Sequence, residues 1–203
     1  VKCRSHKKFI WWSHAGLGNQ GWWGQRIRKW FYSLSDHIFV YSSKGKENLL
    51  QVGVCESKIT VVRNSLNHDD YGFDVARYHK NTEGIQLLFS GRITNERKLD
   101  VLISAVDVLR KKGFLLSCKI VGSGDVFKYR KLAEDLGIGH LVDFVGPMYG
   151  KSLRTIFSGS DIFVFPAGIG LSVVHALSYG LPVITTNNFM LHSPEVELLK
   201  RDI

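Results

Sequence analysis

The chain reads FSGRITNERKLDVLISAVDVL over residues 89–109, which joins an apolar strand end, a short polar loop and an amphipathic helix. Apolar residues recur at helical spacing after the loop, at Leu99, Leu102, Ile103, Val106 and Leu109. A strand followed by a loop and a helix is the repeating unit of a parallel sheet. Arg92 and Lys98 are therefore predicted at the carboxyl edge of a strand, where open α/β sheets bind their ligands.

A second stretch, PAGIGLSVVHALSYGLPVI, follows at residues 166–184. It predicts a glycine-bearing loop after a strand at 161–165, and then a helix over residues 170–179. The first N–H groups of a helix have no partner within it, and the helix dipole adds positive charge there. The predicted donors belong to three residues: Gly170, Leu171 and Ser172. Together with Arg92 and Lys98 they predict a binding site for a diphosphate.

Apolar strands alternate with amphipathic helices along most of the chain, which predicts a Rossmann-like α/β fold, a parallel sheet with helices on both faces. Strands are predicted at 9–13, 37–42, 58–62, 86–90, 117–121, 141–145, 161–165 and 182–185. Helices are predicted at 24–33, 44–52, 98–112, 125–136, 151–158 and 170–179. The polar stretch 67–84 breaks the alternation and predicts a linker between a domain at 1–66 and a domain at 85–203.

Charge and composition narrow the possible partners. The chain has 27 lysine and arginine residues against 18 acidic ones, a formal net charge of +9. This excess favours nucleotide sugars, nucleic acid or an acidic membrane surface as partners. Cys3, Cys55 and Cys118 have neither disulfide-framework nor zinc-site spacing, so a reducing cytoplasm is the expected location. The sequence contains no signal peptide and no apolar run of about 18 residues.

Several stretches resemble the retaining glycosyltransferases of the glycosyl transferase group 1 type, which have the GT-B fold. GRITNERK is similar to the family's Gly-Arg-x5-Lys element, and KIVGSGD is similar to its strand and glycine turn. VDFVGPM is similar to the family's base-reading strand. SDIFVFPAGIGLSVVHALSYGLPVI is similar to its signature helix. The resemblance implies a donor-binding domain over residues 86–197. Residues 35–67 resemble the end of an acceptor domain, so the beginning of that domain is expected upstream and the closing helices after Ile203.

The chain departs from the family at both glutamates of the Glu-x7-Glu signature, where Ala167 and His175 stand instead. In the family the first acid commonly contacts the donor sugar and the second the ribose. The resemblance therefore implies that sugar recognition is altered or lost. A ring nitrogen of His175 is able to bond a ribose hydroxyl. The alternative is that His175 packs in the interior.

Other candidate residues follow from their places in these motifs. Gly91 precedes Arg92, and Met148 ends the base-reading strand, so both are predicted donor contacts. The turn Gly122, Ser123 and Gly124 is predicted as a lip of the nucleotide pocket or as an ordinary tight turn. Phe127 stands where a dinucleotide fingerprint needs its third glycine, which disfavours a nicotinamide enzyme.

His14 ends the strand FIWWSH, where a histidine of the family often lies in the interdomain cleft near the reacting sugar. The prediction is that His14 positions donor or acceptor, and the alternative is a structural role. The surrounding stretch holds five tryptophans with Arg26, Arg28 and Lys29. A helix there would present one apolar face: Trp23, Ile27, Trp30, Phe31 and Leu34. Such a helix fits the surface of an anionic membrane or packs into the rest of the acceptor domain, while nucleic-acid stacking lacks a supporting motif.

The resulting hypothesis is a retaining glycosyltransferase that moves a hexose from a nucleoside diphosphate sugar to a saccharide or lipid-linked acceptor hydroxyl in polysaccharide or glycolipid synthesis. Arg92 and Lys98 would neutralise the leaving diphosphate, so neither a metal nor a cofactor is expected. An Asp-x-Asp motif is absent, although Asp69 and Asp70 are adjacent. Two alternatives stay open. They are a nucleotide-binding or regulatory module without sugar chemistry, and a basic membrane-surface or nucleic-acid-binding α/β protein.

Overall fold

The computed structural model describes residues 7–15, 22–65, 84–188 and 191–199. These residues form two compact units that divide after residue 64. The predicted linker at 67–84 lies outside the described residues except for Gly84, and so do Cys3, Asp69 and Asp70.

The first unit is a three-stranded parallel sheet with two helices. Its elements are β1 (Ile10–Ser13), α1 (Trp22–Ser33), β2 (His37–Val40), α2 (Ser43–Val52) and β3 (Ile59–Val61). The strand order is β1-β2-β3. Helix α2 begins where the Ser42 hydroxyl accepts the Gly45 N–H, and it ends at Gly53 in the left-handed conformation. The amide of Asn48 donates to the Ala15 carbonyl, which ties α2 to the loop after β1.

The second unit contains a five-stranded parallel sheet. Its elements are β4 (Ile85–Ser90), α3 (Leu99–Lys111), β5 (Leu116–Val121), α4 (Phe127–Asp135), β6 (Val142–Gly146), α5 (Gly150–Ser158), β7 (Ile162–Phe165), α6 (Ser172–Ser178) and β8 (Val183–Thr185). Short 3-10 segments lie at Asn95–Arg97, Gly139–Leu141 and Pro194–Leu198. The core is apolar because β4 is buried along nearly its whole length and α3 turns one face inward.

The strand order of this sheet indicates where a ligand site lies. The order is β6-β5-β4-β7-β8, so the chain moves outward from β4 to β6 and then returns to the other side of β4 with β7. The loops after β4 and β7 leave the sheet in opposite directions at this switch point. A crevice therefore opens between them at the carboxyl edge, as is general for doubly wound sheets.

The sequence predictions for the elements agree with the structure. Each predicted helix and strand is present within two residues of its predicted bounds, and both sheets are parallel. The predicted fold class, a Rossmann-like parallel sheet with helices on both faces, is confirmed.

Candidate functional site

A cleft of about 830 Å³ lies at the switch point between β4 and β7. Among the residues that the structure describes, its lining comes from the loop after β4, the loop after β7 and Leu191 beyond β8. The lining residues are Arg92, Thr94, Asn95, Glu96, Arg97, Lys98, Ala167, Gly168 and Leu191. Three of these side chains are cationic and one is acidic, so the cleft favours an anionic ligand.

Arg92 and Lys98, which the sequence analysis paired, both line this cleft, and both are exposed. Arg97 stands between them in the same loop, and the sequence analysis did not select it. Helical periodicity did not indicate a role for Arg97, because Asn95–Arg97 is a 3-10 segment outside helix α3. The only sequence signal for Arg97 was its charge in a loop already predicted to bind an anion.

Arg97 is the most firmly held of the three cations. Its Nη1 donates a hydrogen bond to the carbonyl oxygen of Gly168, and its guanidinium carbon lies 5.3 Å from the centre of the Phe165 ring. Burial lowers the pKa of Arg97, and the positive charge of Arg92 lowers it further. An arginine remains protonated under such shifts, so Arg97 carries a fixed positive charge at the floor of the cleft.

Two backbone positions in the cleft have positive φ. Lys98 has φ 54° at the start of α3, a conformation that glycine adopts more readily. Gly168 has φ 70°, and a Cβ at this position would lie 2.5 Å from Arg97 Nη1. A side chain at 168 would therefore strain the turn and displace the end of the Arg97 side chain.

The predicted N–H donors lie just beyond the lining residues Ala167 and Gly168. Helix α6 begins at Ser172 with Leu171 as its N-cap. Within the described parts of the chain, no acceptor is found for the N–H groups of Gly170, Leu171 and Ser172. These groups are thus available to an external acceptor at the carboxyl edge of β7.

The two positions of the missing glutamates have different surroundings. Ala167 is buried and lines the cleft, where it offers no polar side chain. His175 is half-buried on α6, and its ring stacks on Phe157 with the centroids 5.6 Å apart. Burial lowers the pKa of His175. His175 is absent from the set of residues that line the cleft, so the structure does not bring it together with Arg92 and Lys98.

The glycine turn after β5 packs against the loop that carries Arg92. The Ile93 N–H donates to the Ser123 carbonyl at 2.8 Å, and the Gly91 N–H donates to Val121 at 2.9 Å. A Cβ on Gly122 would clash with the Gly91 carbonyl, and one on Gly124 would clash with Ile93. Close approach of the two backbones therefore explains both glycines.

Gly91 and Met148 have packing roles that the structure makes visible. A Cβ on Gly91 would lie 3.0 Å from the Phe165 ring, which already stacks on Phe89. Met148 follows β6 and is half-buried against the hydrophobic core. Neither residue, nor the turn at 122–124, is among the residues that line the cleft.

His14 belongs to the first unit, at the end of β1. It is exposed, and its ring stacks on Tyr41 with a centroid distance of 4.5 Å. The glycine-bearing loop that follows it, residues 16–21, lies outside the described residues.

The fold and the cleft together define a class of protein, the doubly wound α/β proteins that bind ligands at a switch point. Within this class, the chain belongs to the glycosyl transferases group 1 family, whose model matches residues 72–194. The family predicted from the sequence is confirmed.

Two relatives illustrate the similarity. The chain is 27% identical over 168 residues to an uncharacterized glycosyltransferase from Methanocaldococcus jannaschii, an alignment that covers 75% of this chain and 43% of that protein. It is 24% identical over 183 residues to the amylovoran biosynthesis glycosyltransferase AmsK from Erwinia amylovora, covering 85% of this chain and 43% of that protein. The chain thus spans less than half the length of these curated relatives.

Solved structures share the fold at low sequence identity. A glycosyltransferase from Rickettsia africae superposes with a TM-score of 0.76 and 20% identity, covering 98% of this chain and 55% of that one. Anabaena HepE in complex with UDP gives a TM-score of 0.72 and 15% identity, covering 95% of this chain and 56% of that one.

Within the described ranges, no group of three or more His, Cys, Asp or Glu side chains is close enough to hold a metal ion. No helix in this part of the chain has the length and apolar character to cross a membrane.

Proposed function

We propose that this chain is the donor-binding part, with a portion of the acceptor-binding part, of a retaining hexosyltransferase that uses a nucleoside diphosphate sugar. The observation that carries the proposal is the cleft at the switch point, where Arg92, Arg97 and Lys98 converge. The family relationship supports transfer of a sugar, and HepE, which shares the fold, was solved with UDP-glucose. AmsK acts in amylovoran biosynthesis, which supports a polysaccharide or lipid-linked saccharide as acceptor.

The proposed reaction breaks the bond between the sugar C1 and the diphosphate oxygen, and forms a bond between C1 and the acceptor oxygen with retained configuration. The proton of the acceptor hydroxyl passes to the departing diphosphate. Negative charge grows on the leaving diphosphate as the first bond breaks. Arg92, Arg97 and Lys98 would stabilise this charge, and the N–H groups at 170–172 would add oriented dipoles. The proposal includes neither a metal nor a cofactor, because these cations supply the charge compensation.

The remaining predicted contacts stay part of the proposal. His14 would position the donor or the acceptor. Met148 and the turn at 122–124 would border the nucleotide. His175 would have to leave its stack on Phe157, or bond the ribose through an exposed edge, to act as predicted. Their substitution is expected to change the KM for the donor more than the affinity for inorganic diphosphate.

A second candidate function is a nucleotide-binding module without turnover. The specific observation in its favour is Ala167, which lines the cleft at the position of a signature glutamate and offers only backbone groups to a sugar. The two candidates share the diphosphate site. They differ in whether the intact longer protein transfers the sugar.

We further propose that the protein works at the cytoplasmic face of an anionic membrane, which α1 contacts. Trp23, Ile27 and Trp30 form one exposed stripe on α1, with exposed fractions of 71%, 63% and 63%. The helix contains no acidic residue, and Arg26 and Lys29 are exposed beside the stripe. Exposed tryptophans flanked by cations fit the interface of an anionic bilayer. Vesicle binding by α1 variants tests this proposal.

The transferase proposal is tested by sugar turnover in the longer protein. Arg92→Ala and Arg97→Ala are each expected to cost about 2 kcal/mol or more in transition-state stabilisation, about thirtyfold in kcat/KM. Lys98→Gly removes the third positive charge, and glycine adopts the positive φ at this position without strain. Lys112→Ala is the matched control, because this exposed lysine lies at the far end of α3.

Three results would separate the candidates. Unchanged turnover in all three cleft variants would contradict the role of the cleft. Nucleotide binding by the longer protein without any transfer would support the binding module. Inverted anomeric configuration in the product, read by proton NMR, would contradict retention.

A further inference from the structure

In the loop after β7, which borders the cleft, successive backbone groups form hydrogen bonds with residues outside the loop. The Gly168 carbonyl accepts from Arg97. The next residue, Ile169, is held twice: its N–H donates to Nδ1 of His192 at 3.1 Å, and its carbonyl accepts the N–H of Ser193 at 2.9 Å. The segment from His192 to Ser193 therefore fixes the peptide groups that follow the two lining residues of this loop.

The second nitrogen of His192 makes a different contact. Its Nε2 lies 3.0 Å from the carbonyl oxygen of Thr186 and 3.2 Å from the Thr186 hydroxyl oxygen. Thr186 follows directly after β8. The imidazole ring thus bridges the loop after β7 and the loop after β8.

These contacts define the tautomer of the ring. Nδ1 accepts a hydrogen bond from a backbone N–H, so it carries no proton. Nε2 therefore carries the proton and donates to the Thr186 carbonyl. The neutral Nε2–H form satisfies both contacts at once, and the protonated ring would lose the acceptor for the Ile169 N–H.

The composition of the loop after β7 makes such outside contacts important. Gly168 and Gly170 flank Ile169, and glycine gives a backbone the widest conformational freedom. Ala167 has no polar side chain with which to fix the loop. Leu191, the neighbour of His192, lines the cleft itself. The contacts at Ile169 consequently restrain Gly168, the lining residue that precedes it.

We propose that His192 is a positioning residue of the phosphate site, which acts by holding the Ile169 N–H and so aims the loop after β7 at the ligand. This inference rests on the proposed function, because it assigns His192 to the diphosphate-binding cleft. His192 is not proposed to touch the ligand. Its effect is expected on nucleotide affinity.

The test uses variants that restore one ring nitrogen at a time. The probe is whichever of UDP, GDP and ADP binds the unmodified protein most tightly in a calorimetric titration. In His192→Asn, the amide oxygen occupies the place of Nδ1 and is able to accept the Ile169 N–H. In His192→Gln, the amide reaches the place of Nε2 instead, and His192→Phe keeps the ring shape with neither contact. His140→Phe is the control, since His140 is exposed on the 3-10 segment before β6, at the opposite edge of the sheet.

The proposal predicts that His192→Phe and His192→Gln weaken nucleotide binding at least tenfold, whereas His192→Asn stays within about threefold of the unmodified protein. Equal affinities for the Asn and Gln variants would overturn it, and this comparison remains decisive if the Phe variant does not fold. Nitrogen-15 NMR of the neutral imidazole must also show the proton on Nε2, and the opposite tautomer would overturn the proposal. If the unmodified protein bound none of the three nucleotides, the proposed function would fail and this inference with it. Binding with no difference among the variants would overturn the inference alone.

Discussion

For single residues, the positive charge of the binding loop was predictable from the sequence, but the contacts that orient each side chain were not. The run Glu96, Arg97 and Lys98 gives two adjacent cations in a polar loop, and the sequence analysis chose Lys98 by its spacing from Arg92. The structure shows that Arg97 is the cation held against Gly168 and Phe165. No local sequence pattern predicts this contact, because Gly168 lies in a loop far along the chain. Only the strand order of the sheet brings that loop close to Arg97.

Gly168 offers a prediction at this scale. Replacing it with alanine places an L-residue at φ 70° and a methyl group 2.5 Å from Arg97 Nη1. We expect Gly168→Ala to lower the free energy of unfolding by about 1–2 kcal/mol through the left-handed backbone, and to weaken nucleotide binding at least tenfold by displacing Arg97. Chemical denaturation and calorimetric titration measure the two effects.

The matched control for this prediction is Gly137→Ala. Gly137 has φ 67°, and nothing lies within 4 Å of a Cβ built there. The control therefore has the same backbone strain without a steric clash. If both variants lost stability alike and bound the nucleotide equally well, Arg97 would not be the group that Gly168 positions.

At the scale of elements, the sequence predicted most of the structure. Alternating apolar runs and helical spacing located every described strand and helix within two residues. The short 3-10 segments at Asn95–Arg97 and Pro194–Leu198 were missed, because three to five residues are too few to show a period. The first of these segments lines the cleft, so a part of the site without periodic structure escaped the sequence prediction.

Helix α1 gives the prediction at this scale. If its exposed stripe binds membrane, the chain should bind phosphatidylcholine vesicles that contain phosphatidylglycerol, and binding should fall as salt is raised. Trp23→Ser combined with Trp30→Ser should reduce this binding at least tenfold, measured by co-sedimentation. Leu115→Ser is the control, because Leu115 is 68% exposed in the second unit.

The alternative for α1 is that its apolar face packs against another part of the acceptor domain. In that case the longer protein would not bind the vesicles that contain phosphatidylglycerol. Equal loss of binding in the Leu115 variant would also contradict a specific role for α1.

At the scale of the whole molecule, strand order explains why distant residues form one site. The return of the chain from β6 to β7 places the loop after β4 beside the loop after β7. The sequence analysis predicted parallel strands, and it expected both loops at the carboxyl edge. The diphosphate site was predicted from the two cations, the free N–H groups at the helix start and the general rule for such sheets, and the family resemblance agreed with it. The formal net charge of +9 agrees with an anionic ligand but does not locate it.

The most direct measurement is the affinity of the chain for a nucleoside, its monophosphate and its diphosphate, determined by calorimetric titration for the best of the uridine, guanosine and adenosine series. Because the cleft is proposed to recognise the diphosphate, the diphosphate should bind at least about tenfold more tightly than the monophosphate, a difference of about 1.4 kcal/mol. Replacing Arg92 and Arg97 together with glutamine should abolish this difference. Equal affinity for the nucleoside and its diphosphate in the unmodified chain would contradict the assignment of the cleft.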